Sequence, residues 1–495
     1  MISTKEITDL CKSGSVNDAY EAAHADWLSS PNDVWAQRNM GWVTYYLVKM
    51  DHDHHDINLM VEHLKQLQQF ELLSPQNDAM LFENILWKVA DFVKQLQPND
   101  GDGLTNIFVC LTHFSFASSK AYSYLLMSFL KHSEWDKMAD FIDWWDLSHL
   151  SQEDYQPYVM SDGKRILSLA ERSYIAYAKS VLNAGDKERI RLFIPQMETL
   201  MEQHPEMLYP GYFCGKMLLA LGSDTEEAMK AIIPFAKKKV SEFWVWQLLG
   251  EAYKKVDSDK QLACLLRASH CKAKEQFIGK IRIQLASLYI SRNDLARAKY
   301  HIDKVVRTYL SQGWRLPYII RDWTRTSWLA ASPTDSSDPI DCFSVTDTIL
   351  YGETFNSLAM VTYIDETKKM ATLVYGERQK ASIRLKDIPK RVSADMLLTI
   401  RYVRERKNGI RILSASPCHT EFPDTSYLRH AKGMVMLKEG MAFVFLKTKS
   451  NKYFMPPDVV RRYKVVDKEE VSALLVLDYN KKKEEWAWNC RMINR

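Results

Sequence analysis

The sequence predicts an α+β multidomain chain, a long array of helical pairs followed by two small all-β barrels. Three observations predict it. First, 495 residues with 46% hydrophobic and 12% aromatic content exceed what one core accommodates, so several domains or an extended array are expected. Second, small residues recur at a spacing of 35 to 36 within the first two-thirds of the chain. Third, beyond about residue 346 the apolar pattern changes from helical to alternating. Scarce Gly (17) and Pro (16) beside 14 Trp and 24 Tyr favour helix pairs packed by large side chains over a loop-rich fold.

The repeat is most regular in three copies. Trp246-Gln-Leu-Leu249-Gly250-Glu-Ala-Tyr253 is followed by Ala263, and Leu285-Ala286-x-x-Tyr289 by Ala298, Ile302 and Val305. Gly215-x-x-Leu218 is followed by Gly222 and Ala228. Each places a small residue where two helices of a hairpin approach closely, with a large residue one turn later. Pro31 precedes Gly41 by ten residues, as Pro205 precedes Gly215, which is where a proline ends one helix before the next begins. Over residues 4–45 and 205–306 the pattern resembles the tetratricopeptide-repeat family. The resemblance implies a superhelical solenoid whose concave face binds a protein or peptide. Segments between these stretches keep helical apolar periodicity and read as diverged repeats.

The predicted solenoid spans 1–325. A Ser-, Pro- and Asp-rich stretch, AASPTDSSDPID, marks a linker at 326–346. MVTYID, MATLVYG, ASIRLKD, LLTIRYV and IRILSA then read as the five strands of a first barrel at 347–416, of the OB-fold type. A second linker at 417–430 precedes a second barrel at 431–495, with GMVML, MAFVFLK, YFMPPDVV, ALLVLDY and EWAWNCRMI as strands. Met370-Ala371 precedes Asp387-Ile388 by the interval that separates Met441-Ala442 from Asp458-Val459, so the two barrels read as tandem copies displaced by 71 residues.

In the second copy, Gly440-Met-Ala-Phe443-Val-Phe445 followed by Tyr453-Phe454-Met-Pro456 resembles the two aromatic strand motifs of cold-shock domains. The resemblance covers roughly 431–493 and implies that Phe443, Phe445 and Phe454, with Tyr453 beside them, stack unpaired bases. Alternation supports this, since Phe443 and Phe445 share one face while Ala442, Val444 and Leu446 turn to the core. Lys438, Lys452, Arg461 and Arg462, with Lys447 and Lys449, are the candidate phosphate contacts. Pro456 stands where that family has a histidine. The first copy has Thr372, Val374 and Ile383 at the positions matched to the phenylalanines, so it is expected to be structural or to bind through residues such as Lys380 and Arg384.

Charge agrees with a polyanion partner at the C-terminal end. Residues 341–495 carry 28 Lys+Arg against 19 Asp+Glu, a net +9, which leaves residues 1–340 at −5. Eight scattered cysteines without a C-x-x-C fit a reduced, cytoplasmic chain, and neither a signal segment nor a long apolar span is seen.

Catalytic patterns are missing: no Gly-rich phosphate loop, G-x-S-x-G, H-E-x-x-H or kinase set. The run Asp51-His52-Asp53-His54-His55-Asp56, with His63 beyond, holds metal-ligand types, but it falls between helices and reads as capping. No metal and no small-molecule cofactor are expected, and Lys481-Lys482-Lys483 reads as a solvated hairpin tip. The expected function is a non-enzymatic adaptor that holds a protein partner on the repeats and single-stranded RNA or DNA on the second barrel, without a membrane role. A purely protein-binding scaffold is the alternative. By architecture alone, such a fusion suits a bacterial regulatory or defence complex.

Overall fold

The structure, a computed structural model, describes residues 2–97, 100–388, 392–405, 409–418, 424–437, 444–480 and 484–494. The chain divides into two compact units, one built on 1–261, 268–285 and 304–320, the other on 262–267, 286–303 and 321–495.

Helices dominate from Thr4–Lys12 to Leu295–Ser311. The small residues singled out in the sequence stand in the first helices of successive pairs: Gly215 in Pro210–Leu221, Gly250 in Phe243–Tyr253 and Ala286 in Gly279–Ser291. Close approach explains Gly215, because a Cβ there would lie 2.2 Å from Ile232 Cγ1 of the following helix. Among the described residues no helix is long and apolar enough to cross a membrane.

The acidic and histidine run is mostly helical. The helix Val34–His54 extends to His54, His55 takes the left-handed C-cap, and Asp56 caps Ile57–Leu67 by accepting from Asn58 and Leu59. His63 meets the buried Asp51 carboxylate at 2.6 Å, so the run ties two helices together.

One short hairpin interrupts the helices: β1 (Tyr158–Val159) pairs antiparallel with β2 (Arg165–Ile166). The expected linker at 326–346 is partly helical. Ser327–Ala331 is a short helix, and Cys342–Tyr351 is a longer one whose N-cap Asp341 accepts from Ser344. Its Ser- and Asp-rich start reads as loop in sequence because those same residues cap helices.

The first β module contains β3 (Phe355–Asp365), β4 (Met370–Gly376), β5 (Gln379–Arg384), β6 (Leu397–Glu405) and β7 (Gly409–Pro417). All five predicted strands form, in the sheet order β5-β4-β3-β6-β7. The edges β5 and β7 of the expected barrel approach each other, but no ladder joins them among the described residues, so the sheet is not closed by hydrogen bonds. Its core is aliphatic, with Ala359, Val361, Leu373, Leu398 and Ile400 buried.

The second module contains β8 (Leu428–Leu437), β9 (Val444–Lys447), β10 (Lys452–Met455), β11 (Glu470–Asn480) and β12 (Glu485–Asn494). They form a closed barrel in the order β10-β12-β11-β8-β9, sealed by the parallel pairing of Phe454 with Asn489. A helix, Pro457–Tyr463, lies between the third and fourth strands of the module. This is the OB-fold strand order. Gly433 permits the closure, since a Cβ there would meet the Lys447 carbonyl oxygen at 2.5 Å.

The expected strand YFMPPDVV divides into β10 and that helix. Pro456 and Pro457 cannot donate to a ladder, and Pro457 at the first helical position is preorganised to start a helix. Val459 on its inner side is fully buried in the barrel core.

Candidate nucleic-acid interface

Alternation fixes which side chains of the second barrel face outward. Val444 and Leu446 of β9 and Tyr453 and Met455 of β10 enter the core, so Phe445 and Phe454 project from the opposite face. Cross-strand register sets them side by side. Met436 pairs with Phe445 and Phe445 with Phe454, giving a row across three strands. The two rings lie 6.2 Å apart at 67°, an edge-to-face arrangement. Both rings are partly exposed, and Met436 is 39% exposed.

A second row runs beside the first on the same face. Met434 pairs with Lys447, and Lys447 with Lys452. Like charges directly opposite one another destabilise a sheet. Among the described residues neither lysine has an ion pair, and both are exposed. The face therefore offers partly exposed rings and methionines edged by two uncompensated cations.

The same face of the first module is closed. By ladder register, Met360 pairs with Val374 and Val374 with Lys380, the row equivalent to Met436, Phe445 and Phe454. Met360 and Val374 are fully buried against Tyr427, Leu428, Leu474 and Val476 of the second barrel. Lys380 forms an ion pair with Asp478, and its ammonium lies 5.9 Å from the centroid of the Trp486 ring. Lys380, and not Ile383, thus occupies the place of Phe454, because the β4–β5 connection is shorter than its counterpart. Ile383 is a core residue of the first module.

Polar contacts reinforce the junction. Tyr427 donates its hydroxyl hydrogen to the Leu358 carbonyl at 2.9 Å. Asp395, with its side chain 2% exposed, pairs with Arg462 and lies 3.7 Å from Arg491, which also reaches Asp478 at 3.5 Å.

Residues 429–493 match a family model. It is described as S1/CSD-like domain 2 of the TOTE conflict systems. Residues 208–344 match a model described as a domain of unknown function (DUF7017). Among solved structures, the chain is similar to "MamA 41-end from Desulfovibrio magneticus RS-1" at 16% identity and a TM-score of 0.30, over 40% of this chain and 99% of that one. No curated protein matches it.

Within the S1/CSD-like barrel, the candidate residues separate. Phe445, Phe454 and Lys452 share the outward face. Phe443 and Lys438 lie outside the described residues, as do Lys481, Lys482 and Lys483. Tyr453 is a correction: it is turned into the core, 9% exposed, and its hydroxyl accepts from Arg429 Nη2 at 2.9 Å. It cannot stack a base. Arg462 is a second correction, since its guanidinium is held by Asp395 and donates to the Ala394 carbonyl. Arg461 is exposed on the helix after β10, where its Nε donates to the Pro457 carbonyl at 3.3 Å. Sequence reasoning passed over Met434 and Met436, whose signal was their alternation with Val435 along β8.

Proposed function

We propose that this chain is a non-enzymatic adaptor whose S1/CSD-like barrel holds single-stranded RNA or DNA and whose tetratricopeptide-like helical region engages a protein partner. One observation carries the reading: the outward row Met436, Phe445 and Phe454 beside Lys447 and Lys452. Rings on a strand face stack bases irrespective of sequence, and adjacent ammonium groups meet the phosphates that follow. Phe445 and Phe454 meet edge to face and are partly exposed.

The family match at 429–493 supports a nucleic-acid role, and its description places the related domain in conflict systems. A defence or regulatory setting in a bacterial cytoplasm, where eight cysteines stay as thiols, is part of the proposal. No metal or small-molecule cofactor enters it, because the work is binding.

The test is fluorescence anisotropy of labelled 12-nucleotide RNA and DNA with the full chain, titrated across salt. The proposal expects binding that weakens steeply as salt rises. One observation favours a second reading, a purely protein-binding scaffold: in the first module the equivalent row docks onto protein. Absence of binding to either strand at low salt selects that scaffold.

A further inference from the structure

A groove of about 390 Å³ in the helical region lies between residues 153–169 and the helices Ala79–Gln95 and Lys120–Phe129. Its aromatic walls are Trp87, Tyr124 and Tyr158. Trp87 and Tyr124 pack at 4.9 Å, and Trp87 and Tyr158 remain 42% and 68% exposed. Met127 and Lys120 also line it.

Arg172 closes one side. Burial lowers its pKa, and among the described residues it has neither an ion pair nor a side-chain hydrogen bond. Three nearby carboxylates have other partners, and Glu153, which also lines the groove, makes no ion pair with Arg172 among the described residues. Glu171 accepts from the backbone N–H groups of Leu208 and Tyr209, Asp154 from Ser123 and Ser151, and Asp91 from Tyr124. A desolvated guanidinium without a counter-charge is costly to keep. Its fork of donors matches a carboxylate in two-point contact.

From the groove and this uncommitted cation we infer that the helical region binds an extended peptide segment of a partner protein through one acidic side chain on Arg172 and a neighbouring aromatic or aliphatic side chain between Trp87 and Tyr158. The inference deepens the protein-partner half of the proposed function and rests on it. Charge selects a peptide over nucleic acid. Glu153 and Asp154 line the same groove and repel a run of phosphates, whereas a single carboxylate reaches Arg172 past them.

The experiment selects phage-displayed random dodecapeptides on the full-length protein and measures the enriched sequences as synthetic peptides. Expected are peptides with Asp or Glu within two positions of Trp, Tyr, Phe or Leu. Their affinity falls about tenfold or more with Arg172→Gln, and equally when the peptide's acid becomes its amide. Trp87→Ala weakens the same peptides. Thermal unfolding separates this from a structural role: Arg172→Gln leaves the melting temperature unchanged or raised, because it removes an unpaired desolvated charge. A lowered melting temperature, enrichment without acidic bias, or affinity indifferent to Arg172→Gln overturns the inference. Peptides that bind but ignore both Arg172 and Trp87 overturn the groove while leaving a protein partner for the helical region. No enrichment at all overturns the inference, and the barrel's nucleic-acid binding is measured independently of it.

Discussion

The two β modules share a strand order and differ in what they do with one row of residues. In the first, Met360 and Val374 are buried against the neighbouring barrel, and Lys380 at the end of the row pairs with Asp478. In the second, Met436, Phe445 and Phe454 hold the same register and remain partly exposed. Two sheets of one strand order thus present the same face differently: aliphatic side chains bury it against the neighbouring module, and aromatic ones beside lysines leave it partly exposed, as the proposed platform requires. In the first sheet the outward Met360 and Val374 are already covered by the neighbouring barrel.

Substitutions in the two rows sharpen that contrast. The largest expected effect is Phe445→Ala with Phe454→Ala: losing two stacking rings costs about 4 kcal/mol, roughly a thousandfold in single-strand affinity by anisotropy, with the unfolding midpoint little changed. Next comes Asp395→Ala, which removes the buried carboxylate shared by Arg462 and Arg491 and leaves them only Asp458 and Asp478. Because Arg462 is partly exposed, about 3 kcal/mol is expected, read by urea unfolding and by earlier proteolysis between the modules. Met360→Ala leaves a cavity in the junction and costs about 2 kcal/mol of stability without touching the platform. The smallest effect is Lys452→Gln, which reduces the slope of log affinity against log salt by about 1 and leaves stability unchanged or slightly improved, since Lys447 loses a like-charged neighbour. Comparable binding losses from Met360→Ala and from the phenylalanine pair would break the division of roles.

Much of this was legible because strands announce themselves by period. All five strands of the first module were readable from alternation, as were the inward positions Val444 and Leu446. The same rule, applied to neighbours, separates Tyr453 from Phe454, since adjacent residues point to opposite faces. Pro456-Pro457 carried the signal for a helix start, outweighed in the sequence by the apolar Val459-Val460 that follows. Two features were not readable. Nothing local distinguishes Lys380 from a phosphate-binding cation, because its partner Asp478 is far away in the chain; Arg462 has a local partner in Asp458, but its buried partner Asp395 meets it only through the tertiary fold. The unpaired state of Arg172 likewise depends on where Glu171, Asp154 and Asp91 turn.

The most direct test of one face used in two ways is photocrosslinking of single-stranded RNA containing 4-thiouridine to the full-length protein, with the linked peptides mapped by mass spectrometry. The account predicts crosslinks on β9 and β10, at Phe445 and Phe454, and none on Met360, Val374 or Lys380. Crosslinks on the first module's row, or a map that avoids both phenylalanines, would contradict it.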